Sequence, residues 1–148
     1  MRPEAGDAPR IGGLSHITLA VTDLARSTAF YRDALGLAVR AEWADGAYLS
    51  AGDLWLCLSR DGEAAGRPHP DYTHVAFSVA PEDFGALSRR VLAVARPWRE
   101  NRSEGASLYV LDPDGHRLEL HVGSLASRLA HYRANPAPGR IIHDDPAG

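Results

Sequence analysis

The chain contains two segments of matching pattern, and this internal repeat limits its fold more than any other feature. One segment begins at His16 and the other at His74, and each continues as large apolar residues alternating with small or polar ones. Alternation with a period of two is typical of a strand that buries one face. A helix-like segment and three further strand-like segments follow each histidine. The repeat therefore predicts two tandem βαβββ modules, which make an α+β fold.

Turn and cap residues divide each module into its elements. In the first module, Asp23 or Ser27 can cap a helix that Gly36 should end, because glycine readily adopts the left-handed conformation that closes helices. In the second module, Pro81 should open the helix, since proline is tolerated in a first helical turn. A tight turn is predicted at residues 112–115. The predicted strands cover residues 16–24, 37–43, 46–50, 54–59, 74–83, 96–99, 107–112 and 117–122.

The length of 148 residues and the hydrophobic share of 45% indicate one globular domain. We expect this domain to span residues 11–133. Within it, module one covers 13–60, a linker rich in Gly and Pro covers 61–71, and module two covers 72–123. Residues 1–10 and 134–148 are predicted to be a flexible N-terminal extension and a C-terminal tail.

Charge and composition exclude several classes of function. The formal net charge of −3 argues against a general nucleic-acid-binding protein. All 16 basic residues are Arg, so any cationic role falls to guanidinium groups. No segment approaches the roughly 18 apolar residues that span a bilayer, and the N-terminus lacks the apolar region of a signal peptide. The single cysteine, Cys57, fits a reducing compartment, so we expect a cytoplasmic protein.

Three residues predict a metal site. His16 and His74 occupy equivalent positions in the two modules, and Glu119 alternates with leucines on the last strand, so its carboxylate points to the polar face. Two neutral imidazoles and one carboxylate suit Mn(II), Fe(II) or another first-row divalent ion. Such a set leaves positions open for substrate. A lone histidine more often caps a strand, but the repeated placement together with Glu119 favours a metal site.

Four other histidines are also possible ligands. His121 shares the strand face of Glu119, and we interpret it as a neighbour of the site rather than a ligand. His116 lies in a predicted turn, His69 in the linker and His143 in the tail. These three are expected on the solvated surface.

The loop of residues 101–107 is the second candidate for chemistry. A Ser- and Gly-rich loop is usually an ordinary hairpin connection, but Arg99, Arg102 and Glu104 crowd into this one. Its carbonyl, Asn, Ser and Glu oxygens suit a hard cation, and its hydroxyl and guanidinium groups suit an anion. Arg128, in a predicted helical stretch, is either an additional bidentate donor or a solvated surface residue.

Two aromatic residues and the cysteine lie in strands of module one. Tyr48 and Trp55 are core residues by ordinary expectation, although either can form the wall of a pocket. Cys57 stands between leucines and has no basic neighbour in sequence. We interpret it as a small buried residue.

From residue 13 to about residue 133, the chain resembles the vicinal oxygen chelate superfamily. Within that superfamily, it is most similar to the fosfomycin glutathione transferases of the FosA type. The most specific part of the resemblance is the Arg-Ser-Glu-Gly-x-Ser-x-Tyr loop, which begins at Arg102. The segments that carry the resemblance are Gly13–Val21, Gly46–Ser50, Asp53–Ser59, Asp71–His74 and residues 101–128.

The resemblance implies a role for each of these positions. Mn(II) would be bound by His16, His74 and Glu119. Potassium would be bound by Asn101, Ser103, Glu104, Gly105 and Ser107. The phosphonate of fosfomycin would be held by Thr18, Ser103, Tyr109 and Arg128, of which Thr18, Tyr109 and Arg128 are the implied catalytic residues. The other substrate-binding residues would be Tyr48, Trp55 and Arg99.

The resemblance also implies an assembly and a reaction. A domain-swapped homodimer would form a cupped mixed sheet, in which His16 of one chain completes the metal site of the other. The implied reaction is the metal-dependent opening of the epoxide of fosfomycin by glutathione, which confers antibiotic resistance. The sequence departs from the family at Arg99, where lysine is usual, and at Val75, where tyrosine is frequent. These departures bear on rate and on the choice of thiol.

Two other hypotheses use the same fold. An Fe(II) extradiol-type dioxygenase would need the two histidines and the carboxylate, but not the cation loop. A non-enzymatic drug-binding protein would need no metal. A glyoxalase ranks third, because residues 54–59 offer no carboxylate or imidazole as a fourth ligand.

Overall fold

A computed structural model describes residues 8–64 and 70–145 of the chain. It confirms the prediction of two βαβββ modules in an α+β fold. The predictions for residues 1–7, 65–69 and 146–148, including the surface position of His69, lie outside the described residues.

Module one forms a four-stranded sheet in the order β1-β4-β3-β2. β1 pairs with β4 in parallel, and the other pairs are antiparallel. A short α-helix continues directly into a π-helical turn, and the two lie between β1 and β2. The elements are β1 (Ile17–Val21), α1 (Leu24–Ala29), the π-helical turn (Phe30–Ala34), β2 (Ala38–Trp43), β3 (Gly46–Ala51) and β4 (Leu54–Arg60).

Module two repeats this topology, with strand order β5-β8-β7-β6. β5 pairs with β8 in parallel, and β6, β7 and β8 are antiparallel. A C-terminal helix follows the second sheet. The elements are β5 (Val75–Ser78), α2 (Phe84–Leu92), β6 (Pro97–Arg99), β7 (Ser107–Leu111), β8 (Arg117–His121) and α3 (Leu125–Ala134).

The helix boundaries confirm one prediction and correct two others. The carboxylate of Asp23 accepts a hydrogen bond from the backbone N–H of Arg26 at 3.0 Å, so Asp23 is the N-cap of α1. The segment that Gly36 ends is not one continuous α-helix, because its hydrogen bonds widen to the π pattern after Ala29. α2 begins at Phe84 rather than at Pro81, because residues 81–83 form a turn first.

The core lies on one face of each sheet, against the helices. Alternation places most of the large aliphatic residues of the strands on that face, and mainly small, polar or aromatic residues on the other. Both modules contribute to a single apolar cluster. Its fully buried members include Val21, Leu49, Leu56, Leu58, Val91, Val110, Leu118 and Leu120.

The turn between β7 and β8 is bonded to module one. The Tyr31 hydroxyl donates to the Asp112 carboxylate at 2.8 Å, and the Thr22 N–H donates to Asp114 at 3.1 Å. Burial raises the pKa of the Asp112 carboxyl, and burial together with Asp112 raises the pKa of the Tyr31 phenol. His116 Nε2 lies 2.7 Å from the carbonyl oxygen of Ala20. The prediction that His116 is solvated is therefore wrong, because its ring joins the two modules.

The described residues contain no helix with the length and apolarity needed to cross a bilayer.

Candidate metal and substrate site

The face of module one that points away from the core carries several of the predicted site residues. Thr18, Tyr48 and Cys57 are paired across β1, β3 and β4, so their side chains share this face. Thr18 is exposed, and Tyr48 and Cys57 are partly buried. Cys57 is therefore not the buried core residue that was predicted. Its strand alternates, and the flanking leucines take the core side.

His16 precedes β1 and begins a row of aromatic rings on the same face. Its ring centroid lies 4.4 Å from that of Trp55, and its Nδ1 lies 3.0 Å from the Ser15 hydroxyl. Tyr48 packs edge-on between Trp55 and Trp43, with centroids 5.2 and 4.8 Å away. Trp55 is 39% exposed, so this row is a surface rather than part of the core. His16 is itself exposed, and none of the ion pairs among the described residues joins it to a carboxylate.

Module two brings the other two predicted ligands together. Glu119 lies mid-strand in β8 and is 7% exposed. His74 Nε2 is 3.1 Å from Glu119 Oε1, and His74 Nδ1 is 2.9 Å from the carbonyl oxygen of Tyr72. A carbonyl oxygen only accepts, so His74 Nδ1 donates to it when it carries the ring proton, and Nε2, which faces Glu119, is then the atom that could bind an ion.

The second oxygen of Glu119 has its own partners. The Ser107 hydroxyl donates to Oε2 at 2.8 Å, and His121 Nδ1 lies 3.3 Å from the same oxygen. Ser107 and His121 are also in contact with each other, at 2.6 Å. We call His74, Ser107, Glu119 and His121 the carboxylate cluster. As predicted from its strand position, His121 is a neighbour of Glu119.

Two members of the cluster, His74 and Glu119, match the spacing of two ligands of one divalent ion. Ligand atoms bound at about 2.0–2.2 Å to one first-row ion stand roughly 3 Å apart, and His74 Nε2 and Glu119 Oε1 meet that separation. An imidazole and a carboxylate suit Mn(II) and its neighbours. Within residues 8–64 and 70–145, however, no three His, Cys, Asp or Glu side chains are placed to hold a metal. A single chain therefore does not bring His16 to His74 and Glu119.

The 101–107 loop is folded around the side chain of Asn101. Asn101 Oδ1 accepts from the N–H and the hydroxyl of Ser103, both at 3.0 Å, and Asn101 Nδ2 donates to the Gly105 carbonyl at 2.8 Å. Gly105 has φ +81°, and a Cβ there would lie 2.5 Å from the Val122 carbonyl oxygen. Only glycine fits this position without strain. The loop thus places the predicted potassium ligands Asn101, Ser103 and Gly105 in one turn beside Ser107.

Glu104 and Arg128 form an ion pair between the loop and α3. Arg128 Nε donates to Glu104 Oε2 at 3.1 Å, and the Arg128 side chain is 27% exposed. The hydrogen bond that Arg128 donates to Glu104 is the main cause that raises the pKa of the Arg128 guanidinium. Ser124 and Ser127 cap α3 reciprocally. Arg128 is therefore not freely solvated; it is held beside the loop.

A second aromatic cluster lies around the cation of Arg99. The Arg99 guanidinium lies 4.8 Å from the Tyr72 ring centroid and 5.0 Å from that of Tyr109, and it donates to the Tyr72 hydroxyl. Trp98 packs against His74 and Tyr109, with centroids 5.6 and 5.2 Å away. Tyr72 and Trp98 are not among the residues expected at the site from the sequence. Their positions, two residues before His74 and one before Arg99, are the sequence feature that could have indicated them.

The fold and this site define a βαβββ-repeat protein in which a histidine and a carboxylate meet on one sheet face. The profile of the glyoxalase/bleomycin resistance protein/dioxygenase superfamily matches residues 13–120, and the chain belongs to this superfamily.

Among curated proteins, the chain is similar to a glutathione transferase and to metallothiol transferases. It is 54% identical over 137 residues to the glutathione transferase FosA of Serratia marcescens, covering 90% of this chain and 97% of that protein. It is 36% identical over 131 residues to the metallothiol transferase FosB of Staphylococcus epidermidis, covering 83% of this chain and 92% of that one.

Solved structures give the same family. A mutant of the fosfomycin resistance protein FosX from Listeria monocytogenes, complexed with Mn(II) and 1S,2S-dihydroxypropylphosphonic acid, superposes with a TM-score of 0.71 at 30% identity. The match covers 81% of this chain and 99% of that chain. A monoclinic form of the same protein, at pH 6.5, matches with a TM-score of 0.69 at 32% identity, covering 83% of this chain and all of that one.

Proposed function

We propose that this protein is a metal-dependent transferase that inactivates fosfomycin by adding glutathione to its epoxide, and thereby confers resistance to the antibiotic. One observation carries the proposal. His74 and the buried Glu119 are poised as a ligand pair beside the 101–107 loop, in a chain that is 54% identical to a glutathione transferase FosA. The proposal includes a cytoplasmic location, which the lone cysteine supports because a reducing compartment keeps thiols free.

The proposal includes a homodimer that completes the site. His16 lies on the exposed face of module one, whereas His74 and Glu119 lie on that of module two. A second copy of the chain, placed so that module one of one protomer faces module two of the other, joins His16 to the pair. Such an exchange also covers the exposed ring of Trp55. The superfamily resemblance supports this domain-swapped arrangement.

The divalent ion, which we propose to be Mn(II), would be held by His16, His74 and Glu119 and would supply a Lewis acid beside the epoxide oxygen. The chain itself must bind the phosphonate dianion. Arg128, which is held beside the 101–107 loop, and Arg99, which packs on Tyr109, would supply the positive charge. Guanidinium groups pair with phosphonate oxygens in the bidentate manner.

Hydroxyl groups complete the proposed anion site. Thr18 from module one, with Ser103 and Tyr109 from module two, can donate to phosphonate oxygens that remain free. Tyr48 and Trp55 supply apolar ring surface next to Thr18 for the carbon skeleton of the substrate. Because the hydroxyl of Ser103 now bonds Asn101, substrate binding would require it to rotate.

The 101–107 loop is the proposed potassium site. Its ligands would be Asn101, Ser103, Glu104, Gly105 and Ser107, which offer only oxygen atoms to a hard cation. A cation there would add to the positive potential around the phosphonate. That potential matters because the substrate dianion repels an incoming thiolate.

The proposed chemistry is a single displacement. The thiolate of glutathione attacks an epoxide carbon from the side opposite the oxygen. The C–S bond forms while the C–O bond breaks, the electron pair passes to oxygen, and the oxygen then takes a proton from solvent. The protein residues orient the phosphonate and balance its charge, so no protein nucleophile is required.

Mass spectrometry of reaction mixtures tests this function. Purified protein, fosfomycin, glutathione, Mn(II) and potassium should yield the one-to-one adduct, and yield should fall when Mn(II) or potassium is withheld. Formation of the diol instead would show that water is the nucleophile. An adduct formed only with another thiol would contradict the assignment of glutathione, and no product with any thiol would refute the proposed substrate.

A further inference from the structure

We infer that His121 is a positioning residue, which holds Ser107 and Glu119 in place and couples the metal-ligand pair to the 101–107 loop. This inference rests on the proposed function for the identity of the metal site. His121 would not ligate the ion. It would act through the hydroxyl of Ser107.

Hydrogen bonds link His121 to Glu119 through the hydroxyl of Ser107. Ionised Glu119 can only accept, so the single hydroxyl hydrogen of Ser107 goes to Oε2, 2.8 Å away. The oxygen of Ser107 is then an acceptor for His121 Nδ1 at 2.6 Å. The chain of donors runs from His121 Nδ1–H through Ser107 to Glu119, and it fixes the His121 tautomer. The same Nδ1 also lies 3.3 Å from Oε2.

Two glycines, Gly105 and Gly123, lie close to the imidazole ring of His121. A Cβ on Gly105 would lie 3.2 Å from His121 Cε1, and a Cβ on Gly123 would lie 2.7 Å from His121 Nε2. Both glycines have positive φ values, +81° and +146°. Two glycines therefore leave a slot that the ring fills, and its side chain is only 16% exposed. The slot keeps Nδ1 directed at Ser107.

The pairing of β7 with β8 places His121 next to both the carboxylate of Glu119 and the end of the 101–107 loop. Ser107 pairs directly with His121, and the next pair on the same face is Tyr109 with Glu119. Ser107 is also the last residue of the loop, and Gly105, two residues earlier, walls the slot. A displaced His121 would therefore loosen both the carboxylate and the loop. Neither Ser107 nor His121 can move without changing the position of the other.

Partners of ligating carboxylates typically contribute about 10- to 100-fold to metal affinity. We expect His121→Phe, which keeps a ring but has no donor, to weaken Mn(II) binding by about tenfold or more. The matched variant His121→Asn keeps an N–H donor close to the Nδ1 position and should stay within about threefold of the parent protein. The potassium concentration for half-maximal turnover should also rise in the Phe variant alone.

Electron paramagnetic resonance titration of Mn(II), without fosfomycin or glutathione, measures the affinity directly. Thermal unfolding of the metal-free variants serves as the structural readout. If His121→Phe and His121→Asn weaken Mn(II) binding equally, or if neither weakens it, the inference is overturned. Should His121→Phe fail to fold, Ser107→Ala replaces it: it should weaken binding about tenfold, and adding His121→Ala, which removes the donor, should cause no further loss, whereas a further loss would overturn the inference.

Failure of this inference is distinguishable from failure of the proposed function. Mn(II) binding that depends on the His121 donor would uphold the inference even if fosfomycin formed no adduct. Normal adduct formation together with unchanged Mn(II) affinity in both variants would overturn the inference and leave the proposed function intact.

Discussion

The open faces of the two modules share one topology but differ in how far a single chain completes them. On module two, Glu119 has hydrogen-bonding partners on both of its oxygens, and His74 is oriented by a backbone carbonyl. On module one, His16 contacts only Ser15 and the ring of Trp55 in the described interactions. The face of module two therefore holds a histidine–carboxylate pair within one chain, whereas the face of module one presents an exposed histidine beside aromatic rings.

The strand register shows which residue of module one stands at the position that Glu119 occupies in module two. Two residues after each histidine, Thr18 pairs with Cys57 in module one, and Ala76 pairs with Glu119 in module two. Cys57 therefore occupies the position that corresponds to Glu119. The duplicated scaffold thus places a histidine in both modules but a carboxylate at this position in module two alone, which is the asymmetry that the proposed shared site requires.

The largest effect is expected where the two faces differ most. Glu119→Ala should abolish Mn(II) binding and lower kcat/KM by about 10³-fold, because a metal ion contributes several kcal/mol to transition-state stabilisation. The matched control is Cys57→Ala at the corresponding position of module one, which should keep Mn(II) binding. Titration of Mn(II) and initial rates measure both. Comparable loss of Mn(II) binding in the two variants would contradict the assignment of ligands to module two.

An intermediate effect is expected from the ion pair that holds the loop. Arg128→Ala removes a partly buried cation that bonds Glu104, and should lower kcat/KM for fosfomycin by about 10- to 100-fold, since hydrogen bonds between charged groups contribute about 1.5–3 kcal/mol. Arg133→Ala, on the exposed side of the same helix, is the control and should leave the rate unchanged. Equal rates for the two variants would show that Arg128 is not part of the anion site.

The smallest effect on turnover is expected at the contact between the modules. Tyr31→Phe removes the buried hydrogen bond to Asp112 and should lower the free energy of unfolding by about 1–2 kcal/mol. That change corresponds to a fall in Tm of roughly 2–8 °C for a domain of this size. Turnover at 25 °C should stay at the parent value. A large loss of turnover with unchanged Tm would show that this contact acts on the site.

Local patterns predicted most of the fold. Alternation in the strands and the caps at Asp23 and Gly36 predicted the modules, because these signals depend on neighbours in sequence. The π-helical turn after α1 and the contact of His116 with Ala20 escaped prediction, since they depend on how the modules pack together. The same reason explains Cys57: its neighbours are apolar, but the pleat directs its side chain to the open face.

Complementation between two inactive variants tests the central claim, that His16 of one protomer joins His74 and Glu119 of another. His16→Ala and Glu119→Ala are each purified, mixed under conditions that exchange subunits, and assayed for the fosfomycin adduct. In a swapped homodimer, each mixed dimer has one intact site, so a statistical mixture should recover about one quarter of the parent activity. If each site is built within one chain, every site carries a lesion, and activity that stays at the level of the separate variants would contradict the account.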